Sequence, residues 1–182
     1  KARFRMQTGI EYSAVHITDN TTESREIAEL ILNDSGKKLI NSYVRLTKKK
    51  IMNRISEIKN FIQRNKIDKE KLIIVSSFVV EMIGLRDSID IDYIVDQKIN
   101  KDYNNRILSS HENQLEFYTA NKEALLYCPE NYFVYEGIKF ISLRELYNFK
   151  KNRNEPKDKE DVRLIEDFFQ RENKGFRFKY IH

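Results

Sequence analysis

The chain predicts an α+β fold, a mixed sheet of about four to six strands flanked by helices. Three observations predict it. An apolar stretch over residues 72–96 holds two strand-like runs separated by a short helical turn. Tyr132 to Tyr135 and Ile138 to Ile141 flank Glu136-Gly137, as the strands of a hairpin would. Further segments repeat apolar residues at helical spacing, and the strands do not strictly alternate with them.

Taken in order, the first dozen residues are basic and weakly patterned, and Ser13 to Ile17 predicts a short strand. Asp19 to Thr22 is turn-like and suited to cap a helix running to about Asn33, with Glu23 and Glu26 in its first turn. Ile27, Leu30 and Ile31 give that helix an apolar stripe, and Gly36 closes it or the following turn. A longer helix is predicted from about Ser42 to Asn65, where Val44, Ile51, Ile55, Ile58 and Ile62 fall on one face. Lys48, Lys49 and Lys50 lie on it as a solvated face or a nucleic-acid contact.

Lys71 to Val75 reads as a strand, Phe78 to Ile83 as a short helical turn closed by Gly84, and Ile89 to Val95 as a buried strand. Lys98 to Ser110 is polar, predicting loop or short helix, and Gln114 to Tyr118 alternates like a strand. After the hairpin, Ser142 and Glu145 fit a capping box opening a helix through about Lys151. Pro156 interrupts, and a last helix from about Lys157 to Arg171 carries Val162, Ile165, Phe168 and Phe169 on one side.

Composition bounds the rest. At 182 residues the chain predicts one domain, 1–182, with a helical part over about 1–68 and a core over about 69–182. A chain of this size buries about 68–70% of its unfolded surface. A net charge of +5 suits an anionic partner such as a nucleotide, phosphosugar or nucleic acid. The lone Cys128 excludes an internal disulfide and a Cys-based zinc site, and reads as a small core residue. No segment approaches the roughly 20 apolar residues of a membrane span. A cytoplasmic setting is therefore expected, and the first residue, Lys1, is what a domain excised from a longer protein would show.

The chemistry concentrates at Asp90 and Asp92, two apart in an apolar run. Alternate strand residues share a face, roughly 6.6 Å apart at about 3.3 Å per residue. Two carboxylates so held repel each other, and a hard divalent cation relieves that repulsion through oxygen ligands. Upstream, Ser76 and Ser77 open the short helical turn with hydroxyls and backbone N–H groups, suited to a phosphate or to ordinary capping. Arg86 follows, either for phosphate or to pair with Asp87 or Asp90. His111 is a candidate for the same cleft, while His16 reads as structural.

These residues resemble the nucleotidyltransferase superfamily, the fold shared by polymerase beta, CCA-adding enzymes and aminoglycoside nucleotidyltransferases. Val75-Ser76-Ser77 stands where the family has Gly-Ser or Gly-Gly, and Ile89-Asp90-Ile91-Asp92-Tyr93 where it has hydrophobic-Asp-hydrophobic-Asp. Arg86-Asp87-Ser88 is similar to an Arg-x-Ser found before the aspartates in several bacterial members. Downstream, Ser142-Leu143-Arg144-Glu145-Leu146, Lys150, Arg153, Lys157-Asp158 and Asp161 are similar to a pattern in stand-alone bacterial members. The missing glycine implies a less close approach of backbone to phosphate.

The resemblance implies Mg²⁺ (or Mn²⁺) on Asp90 and Asp92, with Ser76, Ser77, Arg86, Lys150 and Lys157 on the nucleotide. It also implies a third carboxylate, for which Glu116 is the first candidate and Glu136 the second. Lys150 and Lys157 read equally as solvent-exposed lysines, and Asp158 and Asp161 as caps of the last helix. The implied reaction moves a nucleoside monophosphate from a nucleoside triphosphate to an acceptor hydroxyl on a sugar, polysaccharide, protein or RNA. One alternative transfers a phosphosugar or phosphocholine-type group in surface-polysaccharide biosynthesis, in a chain fused to other transferase domains. Another is a non-catalytic nucleotide-binding or scaffolding module.

Overall fold

The computed structural model describes residues 49–98 and 108–175, all within one compact unit, 34–182. The expected strand at 13–17, the helix ending near Asn33, and the first residues of the long helix lie outside the described residues. The fold is α+β, a five-stranded mixed sheet flanked by helices.

Helix α1, Lys49–Arg64, buries Ile51, Ile55, Ile58, Phe61 and Ile62 on one face, the stripe its spacing predicts. Lys49 and Lys50 are on the exposed side. Strand β1, Leu72–Ile74, is fully buried and leads through Ser76 and Ser77 into α2, Phe78–Met82. Gly84 ends that turn at φ +76°, a left-handed conformation that glycine adopts without steric cost. Strand β2, Ile91–Val95, runs antiparallel to β1, with Ile74 opposite Tyr93.

Strand β3, Leu108–Ser110, pairs parallel with β2 and was not expected from its polar surroundings. Gln114 to Tyr118, expected as a strand, instead falls largely in a 3₁₀ helix over Glu112–Phe117. Its alternation follows from local helical turns that half-bury Leu115 and Phe117 against the core. Helix α3, Lys122–Tyr127, is capped by Asn121, whose side chain accepts from the Ala124 N–H. Cys128 follows it, half-buried.

Strands β4, Tyr132–Tyr135, and β5, Ile138–Ile141, form the expected hairpin. Glu136 and Gly137 both have positive φ, +52° and +73°, which matches the right-handed twist of the flanking strands. Helix α4, Leu143–Arg153, opens at Ser142, whose hydroxyl accepts from the Glu145 N–H. The reciprocal half of the capping box is absent, because the Glu145 carboxylate accepts from Thr119 and Ala120 instead. Asn154, at φ +52°, breaks the chain direction, and α5 runs Pro156–Gly175 with proline at its first turn.

The strand order is β3-β2-β1-β5-β4, with β1 central. Antiparallel β1–β2 pairing sets the C-terminal end of β1 beside the N-terminal end of β2, and the Val75 N–H donates to Asp92 O at 2.9 Å. Parallel β1–β5 pairing brings the start of α4 to that same end of the sheet. Among the described residues no helix is long and apolar enough to cross a membrane.

Candidate functional site

A cavity of about 610 Å³ opens at this end of the sheet. Asp90, immediately before β2, and Asp92, its second residue, both line it. Asp90 is exposed and Asp92 half-buried, and Ser109, opposite Asp92 in β3, donates its hydroxyl to Asp92 Oδ1 at 2.7 Å. Ile89, expected within a buried strand, is 93% exposed at the rim, because the strand begins two residues later than its apolar pattern implies.

Ser76 and Ser77 line the cavity beside the aspartates. Ser76 is buried, and its hydroxyl accepts from the Phe78 N–H at 3.2 Å, an ordinary local turn bond. Ser77 donates its hydroxyl toward Asp161 Oδ2 at 3.4 Å. Arg86 also lines the cavity, and its carboxylate partner is neither Asp87 nor Asp90. Its Nε and Nη2 engage both oxygens of Asp161, the latter at 2.6 Å, while Nη1 donates to the Asp87 carbonyl at 2.7 Å.

Lys150 is 4% exposed, which removes the reading of it as a solvated lysine. Its ammonium lies 2.7 Å from Asp161 Oδ2 and 3.2 Å from Asp158 Oδ1. Arg153 completes the cluster with two bonds to Asp158, at 2.9 and 2.7 Å. Asp158 also accepts from the Glu155 N–H at 3.2 Å, so it caps α5 while pairing with cations. Asp161, from the next turn, lines the cavity instead. Burial raises both carboxyls, but bonds from Arg153 and Lys150 at Asp158, and from Arg86 and Lys150 at Asp161, outweigh it and hold both below the ordinary value. Lys157 lines the cavity with an exposed side chain, 3.2 Å from Glu155.

On the facing wall stand Ser110, His111, Asn113 and Gln114. His111 Nδ1 shares a 2.9 Å hydrogen bond with the Tyr118 hydroxyl. Burial pushes the imidazole below its ordinary value, and the nearby Arg153, Lys150 and Lys157 add to this against the opposing pull of Asp92. Burial likewise raises the Tyr118 phenol, which stays protonated. Gln114 Oε1 is buried at this wall without a hydrogen-bond donor among the described residues.

Glu116, the first candidate for a third carboxylate, is exposed on the 3₁₀ helix and is not among the residues that line the cavity with Asp90 and Asp92. Glu136 lies in the hairpin turn, paired with Lys59 at 2.7 Å, and is outside the cavity as well. Among the described residues no group of three or more His, Cys, Asp or Glu side chains is placed to hold a metal ion. Asp90 and Asp92 still fit Mg²⁺, which characteristically takes one or two protein carboxylates and completes its shell with phosphate oxygens and water.

Around the expected His111, the polar wall of Ser109, Ser110, Asn113 and Gln114 belongs to a strand and a 3₁₀ helix too short for periodicity to reveal. Arg54, buried on α1 behind the aspartates, interrupts an apolar stripe three residues after Ile51. That interruption was a legible signal. No family model, curated protein or solved structure matches this chain.

Proposed function

We propose that the chain is a metal-dependent nucleotidyltransferase of the superfamily its motifs resemble, moving a nucleoside monophosphate from a nucleoside triphosphate to an acceptor hydroxyl. The observation that carries the reading is the cavity itself. The carboxylates of Asp90 and Asp92, at the start of β2, and the cations Arg86, Lys150, Arg153 and Lys157 line one space.

Asp90 and Asp92 are the residues that would hold Mg²⁺ or Mn²⁺, which when bound supplies charge neutralisation at the phosphates and polarises the reacting oxygens. Lys157 meets the outer phosphates, since its ammonium is exposed at the cavity. Lys150 and Arg86 act from a fixed place, held by Asp161, and so stabilise developing phosphate charge without reorganising. The side chains of Asn113 and Gln114 orient the acceptor. Its oxygen attacks the α-phosphorus, forming the new P–O ester bond, while the bond from that phosphorus to the β-bridging oxygen breaks. Pyrophosphate leaves with that electron pair, and the acceptor's proton passes to solvent through the cavity mouth.

Transfer of a phosphosugar or phosphocholine-type group would use the same carboxylates and cations with a different donor. A non-catalytic nucleotide-binding module is favoured by a separate observation: among the described residues no third His, Cys, Asp or Glu side chain is grouped with Asp90 and Asp92 to hold a metal ion. Incubation with each α-labelled nucleoside triphosphate and Mg²⁺ separates these readings. Pyrophosphate release and labelled acceptor are expected from the parent chain, falling to background in Asp90→Asn with Asp92→Asn while circular dichroism is unchanged. Nucleotide binding without turnover in the parent, undiminished in the double variant, would instead establish the binding module.

A further inference from the structure

The loop that delivers Asp90 is gripped from behind by one buried side chain. Arg54 is 8% exposed on α1, and its guanidinium gathers three successive carbonyls. Nη1 donates to Ser88 O at 2.8 Å and to Ser88 Oγ at 2.7 Å. Nη2 donates to Ile89 O at 3.2 Å and to Asp90 O at 3.0 Å. Glu81 on α2 fixes the other side of the arrangement. It pairs with Arg54 and accepts from both the Ser88 N–H, at 3.1 Å, and the Ser88 hydroxyl, at 2.8 Å. Lys50 lies 2.9 Å from the remaining Glu81 oxygen.

From this geometry we infer that Arg54 is a positioning residue for the metal site, setting the backbone of residues 88–90 so that Asp90 stands beside Asp92. The inference rests on the proposed metal-dependent reading of the cavity. Carbonyls of consecutive loop residues point in different directions unless something draws them together, and a planar guanidinium with five donors does so where a point-charge ammonium does not. Arg54 does not line the cavity, so it acts through the loop and not on a ligand. Groups that orient a metal-ligating carboxylate typically change metal affinity by about 10–100-fold when removed.

The test uses the whole chain and Mn²⁺ as the probe, followed by electron paramagnetic resonance, together with hydrogen exchange over residues 86–92. Arg54→Lys keeps a cation against Glu81 but cannot span the three carbonyls. It is expected to bind Mn²⁺ about tenfold more weakly than the parent, with faster exchange at residues 88–91 and unchanged exchange in α5. A folded Arg54→Lys whose Mn²⁺ affinity stays within about twofold of the parent overturns the inference, since a merely structural role would leave affinity unmoved. If that variant does not fold, Arg54→Gln with Glu81→Gln removes both buried charges together and is read by the same two outcomes. A parent that binds no Mn²⁺, or whose binding survives Asp90→Asn with Asp92→Asn, overturns the metal reading itself, and this inference with it.

Discussion

At the scale of single residues, Asp161 is where the site and the stability of the protein meet. It is fully buried and is the shared anion for Arg86 and Lys150. Removing one partner from a buried charged group leaves the others uncompensated, a loss of about 3–5 kcal/mol. Asp161→Asn is therefore expected to lower unfolding stability by that order in urea titration, whereas Lys159→Gln, exposed on the same helix and outside the cavity lining, should change it by less than about 0.5 kcal/mol. A fall of under about 1 kcal/mol for Asp161→Asn would show that the cluster adds little. The residue scale was also where the sequence was most legible at the aspartates and least so at Glu116. Asp90 and Asp92 stand out because carboxylates in an apolar run have few structural explanations. Glu116 sat in a segment whose alternation is shared by a strand and a 3₁₀ helix, and a short apolar run does not distinguish the two. The sequence offered Asp87 and Asp90 as partners for Arg86; its carboxylate partner, Asp161, comes from a distant helix, a tertiary choice no local pattern records.

At the scale of elements, the corner between α4 and α5 is held by charge and by one left-handed residue. Asn154 turns the chain, and Asp158 and Asp161 on α5 draw in Arg153 and Lys150 from α4. Both carboxyls are held below the ordinary value of 3.8 in the folded chain. The unfolded state therefore binds more protons at acid pH, and stability falls as pH drops. The contribution is complete at neutral pH and drains away below about pH 4 as each carboxyl is forced to take up a proton. Urea midpoints should fall steeply between about pH 5 and 2.5, and the slope should flatten in Asp158→Asn, where one of the two titrating groups is gone. A slope equal to the parent's would place the acid sensitivity elsewhere. Long amphipathic helices and the hairpin were readable from the chain because their periods extend over enough residues to be counted. β3 was not readable, being three residues long and paired to β2 by register alone. Helix α3 is six residues long, below the length at which helical spacing repeats.

At the scale of the whole molecule, the cavity depends on four separate stretches of chain meeting at one end of the sheet: the β1–α2 turn, the start of β2, the segment over 109–114, and the α4–α5 corner. A ligand that bridges them should stabilise the fold as a unit. On the proposed reading, nucleoside triphosphate with Mg²⁺ at about one hundred times its dissociation constant would add about 2.7 kcal/mol. For a chain of this size that raises Tm by roughly 5–10 °C. Differential scanning fluorimetry across the four nucleotides, with EDTA as the control, would rank them. No shift with any nucleotide would remove both the transferase and the nucleotide-binding readings. The sheet's composition as α+β was legible because its strands and helices cluster unevenly along the chain. Its order, β3-β2-β1-β5-β4, was not, since β1 pairs with β5 across a long stretch of intervening chain, Ile73 opposite Lys139.

That pairing has a consequence during synthesis. Strand β1 is translated before both of its partners and finds antiparallel β2 soon after, but its other flank stays bare until β5 has been translated. Through that interval the nascent polypeptide displays an unsatisfied row of main-chain amides and carbonyls next to Leu72, Ile73 and Ile74. Chaperone capture, or mispairing between neighbours on one messenger, would target that flank, and a stall placed just before Ile138 would prolong it.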